Sequence, residues 1–256
     1  MKKPILRGYF GGIFVEFVLQ DRLADAIILL PNFPSGNDFS ELIAFFFEKG
    51  YHVFVPRYRG SYQSAGKFLS KNPVDDLIGV LNALDEGEIK SLWDGKKQSF
   101  RINKKILVSS GFGGAIALGL AAKSGLASHL ILQAPIWDFK MHNSNGDEQD
   151  IEKMSEFVRN AYKNCYRYSF KNFRRKMSKF EELNPAYYLP RVNELPILVM
   201  HDPNDKIVNL RHTKEKIALL QKATYLEHYL GPKLNADILS AYWKDIDKFI
   251  KINYVN

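Results

Sequence analysis

The chain has 256 residues, and its 36 Lys and Arg outnumber its 28 Asp and Glu to give a formal net charge of +8. Hydrophobic residues make up 46% and charged residues 25%, which suits a packed globular protein and excludes a disordered or collagen-like chain. The single cysteine, Cys165, excludes an internal disulfide, and no Cys/His cluster has the spacing of a zinc site. We expect no metal and no cofactor.

The start of the chain bears only a faint likeness to a signal peptide, because Arg7 and Glu16 interrupt its apolar stretch. No uninterrupted apolar window of about 18 residues occurs, so we expect no membrane span. A cytoplasmic location is the resulting expectation. The length suits one domain over residues 1–256.

The predicted elements alternate between strands and helices. Two alternating runs, 5–10 and 13–19, flank Gly11 and Gly12, a pair typical of a hairpin turn. Apolar runs of strand length follow at residues 26–30, 51–55, 105–109, 129–133, 195–201 and 224–230. Helical patterns occur at residues 38–49, 75–84, 111–122, 210–221 and 238–250. This order predicts an α/β fold with a mostly parallel central sheet that opens on an antiparallel hairpin.

One long segment, about residues 138–193, does not fit this alternation. Its central part, 147–184, contains neither Pro nor Gly, which predicts one or two helices. Because the segment separates two consecutive core strands, we expect a helical lid inserted into the domain.

Residues 108–115, which read V-S-S-G-F-G-G-A, follow a predicted strand and open a helix of small residues. Small residues at alternate positions allow a sharp turn to pack against neighbouring elements. This segment resembles the nucleophile elbow of the α/β-hydrolase superfamily, whose usual form is G-x-S-x-G-G. In that register the nucleophile position is Gly111, which has no side chain.

Three further segments extend the resemblance over almost the whole chain. Residues 56–61, which read P-R-Y-R-G-S, resemble the family's loop after the fourth strand. The string P-N-F-P at 31–34 is similar to the oxyanion loop, which implies oxyanion donors at the backbone N–H groups of Phe33 and Phe112. Residues 184–208 resemble the acid-bearing strand of prolyl-oligopeptidase-like, acyl-peptidase-like and esterase-like hydrolases. That likeness implies the triad acid at Asp205. The loop 231–235, where these hydrolases carry their histidine, has none, and the pattern places His228 inside the last strand.

The resemblance implies a hydrolase fold of the carboxylesterase or serine-peptidase type with a degenerate triad. Without a nucleophile and an imidazole, we predict a protein that is inactive as a serine hydrolase and binds a small molecule or a protein in its cleft. The alternative is an active hydrolase with Ser110 as nucleophile, although Val108 and Phe112 then stand where small residues are required. A Ser pair that caps the following helix is the favoured interpretation of Ser110. Asp205 is either a vestigial acid or a loop residue.

A basic stripe marks the lid. Residues 159–179 contain eight Lys and Arg and no acidic residue. Basic residues recur at every fourth position, which predicts one helical face: Arg159, Lys163, Arg167, Lys171 and Arg175. The favoured interpretation is a lid helix whose basic face meets water. The alternative is a basic module that binds an anionic partner, either a membrane surface or an acidic protein; no motif supports nucleic acid.

Overall fold

The computed structural model describes residues 3–36, 38–139, 151–168 and 183–252, with the backbone alone for residues 151–155. Within these residues the strands are Leu6–Phe10 (β1), Ile13–Val18 (β2), Ala24–Leu30 (β3), His52–Pro56 (β4), Glu88–Lys90 (β5), Lys97–Ser99 (β6), Ile102–Ser110 (β7), His129–Pro135 (β8), Ile197–His201 (β9) and Ala223–Glu227 (β10). Eight of them form one sheet in the order β1-β2-β4-β3-β7-β8-β9-β10.

The sheet is antiparallel only where it begins. β1 pairs with β2 around Gly11 and Gly12, and β2 pairs antiparallel with β4. Every pairing from β4 to β10 is parallel. The predicted α/β class, with its opening hairpin and mostly parallel sheet, is therefore confirmed.

The described α-helices are Ser40–Glu48 (α1), Pro73–Asp85 (α2), Gly111–Ser124 (α3), Ile151–Ala161 (α4), Leu210–Ile217 (α5), Ala236–Ala241 (α6) and Trp243–Lys251 (α7). They cover both faces of the sheet. Leu77 of α2 and Ile116 of α3 pack in the same core cluster as Leu107 of β7. Phe46 of α1 and Phe249 of α7 pack in a second cluster, which also takes Val108. Successive side chains of β7 thus pack in the two helical layers on opposite faces of the sheet. Both layers contact the sheet close to the end of β7.

The structure has one pair of strands that was not predicted, and one predicted helix differs in detail. The short strands β5 and β6 form a separate hairpin that the sequence does not signal, because three-residue polar strands carry no usable period. The predicted closing helix 238–250 divides at Tyr242, whose ψ of 16° leaves the helical region. No Gly or Pro marks this break, and the ring of Tyr242 contacts His228.

No helix in the described part of the chain is long and apolar enough to cross a membrane.

Buried histidines make the stability of this fold dependent on pH. His52, His129, His201 and His228 are at most 4% exposed, and burial lowers the pKa of each imidazole. The unfolded chain therefore binds protons near pH 6.5 that the folded protein does not. We expect the free energy of unfolding to fall as the pH drops from 7.5 to 6.0, by up to about 1.4 kcal/mol per pH unit for each histidine. Urea denaturation at several pH values measures this slope. His129→Phe should reduce the slope by one histidine's share, and a flat profile in the parent protein would contradict the prediction.

Candidate functional site

The elbow lies where β7 meets α3, above the middle of the sheet. Gly111 is the first residue of α3 and has a φ of +51°, a conformation that glycine adopts at little cost. A Cβ built at Gly113 would lie 2.7 Å from the carbonyl oxygens of Leu30 and Pro31, and one at Gly114 would lie 2.5 Å from Pro135. Small residues therefore allow α3 to start against the ends of β3 and β8.

The side chain of Asn32 occupies the space above Gly111. A Cβ added to Gly111 would lie 2.7 Å from Asn32 Oδ1 and 2.9 Å from its Nδ2. The same Oδ1 accepts hydrogen bonds from the backbone N–H groups of Phe33 and Phe112, each at 2.8 Å. The two N–H groups implied as oxyanion donors thus converge on one oxygen, and that oxygen belongs to the chain itself.

Aromatic side chains fix the loop that carries Asn32. The Tyr58 hydroxyl donates to the carbonyl of Pro31 at 2.7 Å, and burial holds the pKa of Tyr58 well above its usual value, so the donor stays protonated. Farther along the loop, Tyr62 donates to the carbonyl of Ser35 at 2.5 Å, while the hydroxyl of Tyr166 accepts from its N–H at 3.1 Å. The ring of Phe33 stacks on Phe68 and makes an edge contact with Tyr166. The residues on both sides of Asn32 in the chain, Pro31 and Phe33, are therefore held in place.

Asp205 lies at the cleft, but its carboxylate serves its own loop. Oδ1 accepts from the N–H groups of Ile207 at 2.7 Å and Val208 at 3.1 Å. The other oxygen lies 3.8 Å from Nε2 of His201, and the side chain is only 2% exposed. These contacts are those of a loop residue, the second of the two roles that the sequence allows.

His201 belongs to a buried chain of hydrogen bonds rather than to the cleft. The indole N–H of Trp137 donates to Thr213 Oγ1 at 3.0 Å, and this hydroxyl lies 2.9 Å from Nδ1 of His201. Nε2 of the imidazole lies 3.0 Å from the carbonyl of Val208. Burial lowers the pKa of His201, and a neutral ring with the proton on Nε2 satisfies all these partners.

Pro232 and Lys233, in the loop where the resemblance implies a histidine, both line the cleft. His228 does not lie inside the last strand as predicted; β10 ends at Glu227, one residue earlier. Its imidazole is fully buried and bonds to Oε1 of Gln133 at 2.8 Å. Among the described residues that line the cleft there is no histidine.

The cleft itself is a cavity of about 280 Å³ beside Gly111. Most of its wall is apolar and comes from Phe112, Ala134, Ile136, Phe139, Phe157, Ile207 and Val208. Ser110 reaches the same wall from the N-cap position of α3. Ser110 has the extended backbone of an N-cap residue, but its hydroxyl makes no capping hydrogen bond. The predicted capping role is therefore wrong for Ser110.

The basic residues at 159, 163 and 167, the described part of the predicted basic stripe, do not share one helical face. α4 ends at Ala161, so Arg159 is helical and pairs with Glu156 at 3.4 Å, whereas exposed Lys163 lies in a turn. The single face predicted across 159–167 is therefore wrong. Lys171 and Arg175 lie outside the described residues.

Arg167 binds the segment that follows α4 to the loop after β4. Tyr166 forms an isolated bridge with Ser61, and the guanidinium of Arg167 donates to the carbonyls of Tyr62, Ser64 and Gly66. Each of its nitrogens is thereby committed to a backbone oxygen. Arg167 is exposed, as predicted, but its guanidinium also binds the protein's own backbone.

Comparison with known proteins defines the fold. No protein-family model matches the chain, and no curated protein matches it. The structure of DcsB in complex with its substrate analogue is similar over 97% of this chain and 98% of that one, with 16% identity and a TM-score of 0.72. An esterase of Pyrococcus furiosus, Pf2001, matches over 98% and 92% with 12% identity and a TM-score of 0.66. Est1E from Butyrivibrio proteoclasticus, with ferulic acid bound, matches over 96% and 97% with 12% identity and a TM-score of 0.65. The chain has the α/β-hydrolase fold.

Asn32 was missed because its importance lies in a contact with residue 112, which is 80 positions away along the chain. The available signal was chemical: an amide side chain stands directly before Phe33, within an oxyanion-like loop. The position of Lys233 on the cleft wall was also missed, because the sequence showed only that its loop lacks a histidine.

Substitution of Gly111 tests the contact with Asn32. Gly111→Ala forces a side chain into left-handed backbone and into the Asn32 amide, so we expect it to destabilise the fold by about 2–4 kcal/mol. Gly125→Ala is the matched control, because Gly125 also has a positive φ of 63° but no atom within 4 Å of its Cβ position. Urea denaturation should show the larger loss for Gly111→Ala. The double variant Gly111→Ala with Asn32→Ala should lose less unfolding free energy than the sum of the two single losses. Losses that are additive would contradict the contact.

Arg167 offers a second test of stability. Arg167→Lys keeps the charge but loses the planar group that reaches three carbonyls, so we expect a loss of about 1 kcal/mol in urea denaturation. Lys163→Gln, in the neighbouring exposed turn, should change stability by less than about 0.5 kcal/mol. A loss of less than about 0.5 kcal/mol for Arg167→Lys would argue that the side chain contributes its charge and not the planar contacts of its guanidinium.

Proposed function

We propose that the protein binds a small ligand in its cleft and does not hydrolyse it. The observation that carries this proposal is the position of Asn32 Oδ1, which accepts from both N–H groups that would stabilise an oxyanion. Hydrolysis of an ester or a peptide places a developing negative charge between such donors. A donor pair that already binds an internal oxygen cannot stabilise that charge unless Asn32 leaves.

Two further parts of a serine hydrolase are missing from the same cleft. Gly111 supplies no nucleophilic side chain, and Pro232 and Lys233 stand where an imidazole would accept the proton. Loss of the nucleophile or base alone usually removes almost all of the catalytic power, and a combined loss costs little more. These features support a pseudoenzyme with a degenerate triad.

The likeness of residues 184–208 to prolyl-oligopeptidase-like hydrolases supports a finer proposal about lineage. Asn184 donates to Asp138 at 2.7 Å and its Oδ1 lies 3.4 Å from the N–H of Phe139, so this string ties the lid to the strand before it. We propose that the string persists here for this structural task. The lid supplies Phe157 and Tyr162 to the rim of the cleft, which supports a role in covering a ligand.

The alternative, an active hydrolase that uses Ser110, needs a general base near that hydroxyl. Among the described residues, the basic side chain that shares the cleft wall with Ser110 is Lys233. The backbone of Ser110 is extended, with φ −139° and ψ 159°, and does not have the positive φ of the elbow residue. We therefore prefer the binding function.

A fluorophosphonate probe tests the proposal directly. Incubation of the full chain with excess probe, followed by intact-mass analysis, should give no adduct, and hydrolysis of p-nitrophenyl acetate should not exceed the rate in buffer. A known serine hydrolase labelled in the same tube controls the reagent. An adduct that maps to Ser110, and that disappears in Ser110→Ala and in Lys233→Gln, would overturn the proposal in favour of a Ser–Lys hydrolase.

A further inference from the structure

Two cavities meet at a shared wall in this protein. The first is the apolar cleft beside Gly111, of about 280 Å³. The second, of about 260 Å³, lies toward α1 and is bordered by Ser35, Asp38 and Leu42. Five described residues line both cavities: Asn32, Pro34, Ser110, Tyr162 and Lys233.

Three polar side chains of the shared wall, Asn32, Ser110 and Lys233, can donate hydrogen bonds to a ligand. Because both N–H groups of the loop and helix hold the oxygen of Asn32, its Nδ2 amide group is what remains for a ligand. That amide makes no hydrogen bond to any other described residue. Lys233 adds an exposed ammonium group, which only donates, and Ser110 adds a hydroxyl without a capping bond.

The nearest carboxylates are turned toward their own loops. Asp205 accepts from two loop N–H groups and is 2% exposed. Asp38, at the edge of the second cavity, accepts from the N–H of Ser40, and its hydrogen bonds to Ser40 lower its pKa. Asp205 lines only the first cavity and Asp38 only the second, so neither carboxylate belongs to the shared wall. The chain as a whole carries a net charge of +8, which favours anions.

We infer that the ligand is a small carboxylate with an apolar tail, whose head binds to the amide of Asn32, the hydroxyl of Ser110 and the ammonium of Lys233. The tail extends into the apolar cleft between Ile136, Phe139 and Val208. At roughly 30 Å³ for each heavy atom, the cleft holds about nine such atoms. This inference rests on the proposed function, since a ligand that is bound and not cleaved is its premise.

Binding of octanoate to the full chain, measured by isothermal titration calorimetry, tests the head group. 1-Octanol and octylamine have the same chain length with a neutral and a cationic head, so octanoate should bind most tightly and octylamine most weakly. Lys233→Gln should weaken octanoate binding about fivefold and leave 1-octanol binding unchanged. Lys96→Gln, a lysine on the β5–β6 turn far from the cleft, is the matched control and should change neither affinity.

Asn32→Asp provides the sharper variant. It keeps an oxygen for the N–H groups of Phe33 and Phe112 but replaces the amide donor with a second carboxylate oxygen. We expect octanoate binding to weaken by more than tenfold and octylamine binding to strengthen. If Asn32→Asp does not fold, the Lys233→Gln comparison alone decides the inference.

The outcomes separate this inference from the proposed function. Equal binding of octanoate and 1-octanol, unchanged by Lys233→Gln, would overturn the carboxylate head while leaving a binding protein in place. Failure of octanoate to bind at all would also overturn it. A fluorophosphonate adduct on Ser110 would instead remove the proposed function, whatever the affinity for octanoate.

Discussion

The arrangement of this site depends on one pair of hydrogen bonds, from the N–H groups of Phe33 and Phe112 to Oδ1 of Asn32. They join the loop after β3 to the first turn of α3. A helix begins with N–H groups that have no partner inside the helix, and a buried N–H without a partner costs about 1–3 kcal/mol. An active hydrolase must keep such donors available for its transition state. Here the side chain of Asn32 satisfies both N–H groups internally.

The space that admits Asn32 exists because residue 111 is glycine. A serine there would project its Cβ to within 3 Å of the amide, so the nucleophile and Asn32 compete for the same volume. The loop then forms hydrogen bonds with Tyr58 and with Tyr166, and Arg167 ties the segment that carries Tyr166 to the loop after β4. Separate parts of the chain therefore hold one amide in place, and the segment 162–167 takes part as a structural brace.

The sequence predicted the sheet well because a strand buried on both faces must be apolar throughout, as 26–30 and 129–133 are. It also placed Gly111, Phe33 and Phe112 at positions that the fold brings together, since the spacing of small residues reflects close backbone packing at the elbow. The sequence analysis failed for residues whose role depends on contacts with distant parts of the chain. The period of Arg159, Lys163 and Arg167 says nothing about whether a guanidinium meets water or backbone carbonyls. Asn32 carries no period at all.

The choice of an amide at position 32 has a chemical consequence for the cleft. An amide has an acceptor end and a donor end, so Asn32 uses its oxygen against the protein and leaves its NH₂ group to the cavities. The donor that a ligand meets is therefore the Nδ2 group of Asn32, and not the backbone N–H groups of Phe33 and Phe112. Lys233 lines the same two cavities as this amide. The residue that fills the space above Gly111 thus also presents a hydrogen-bond donor to the cleft, and this pairing of roles is the basis of the binding function proposed above.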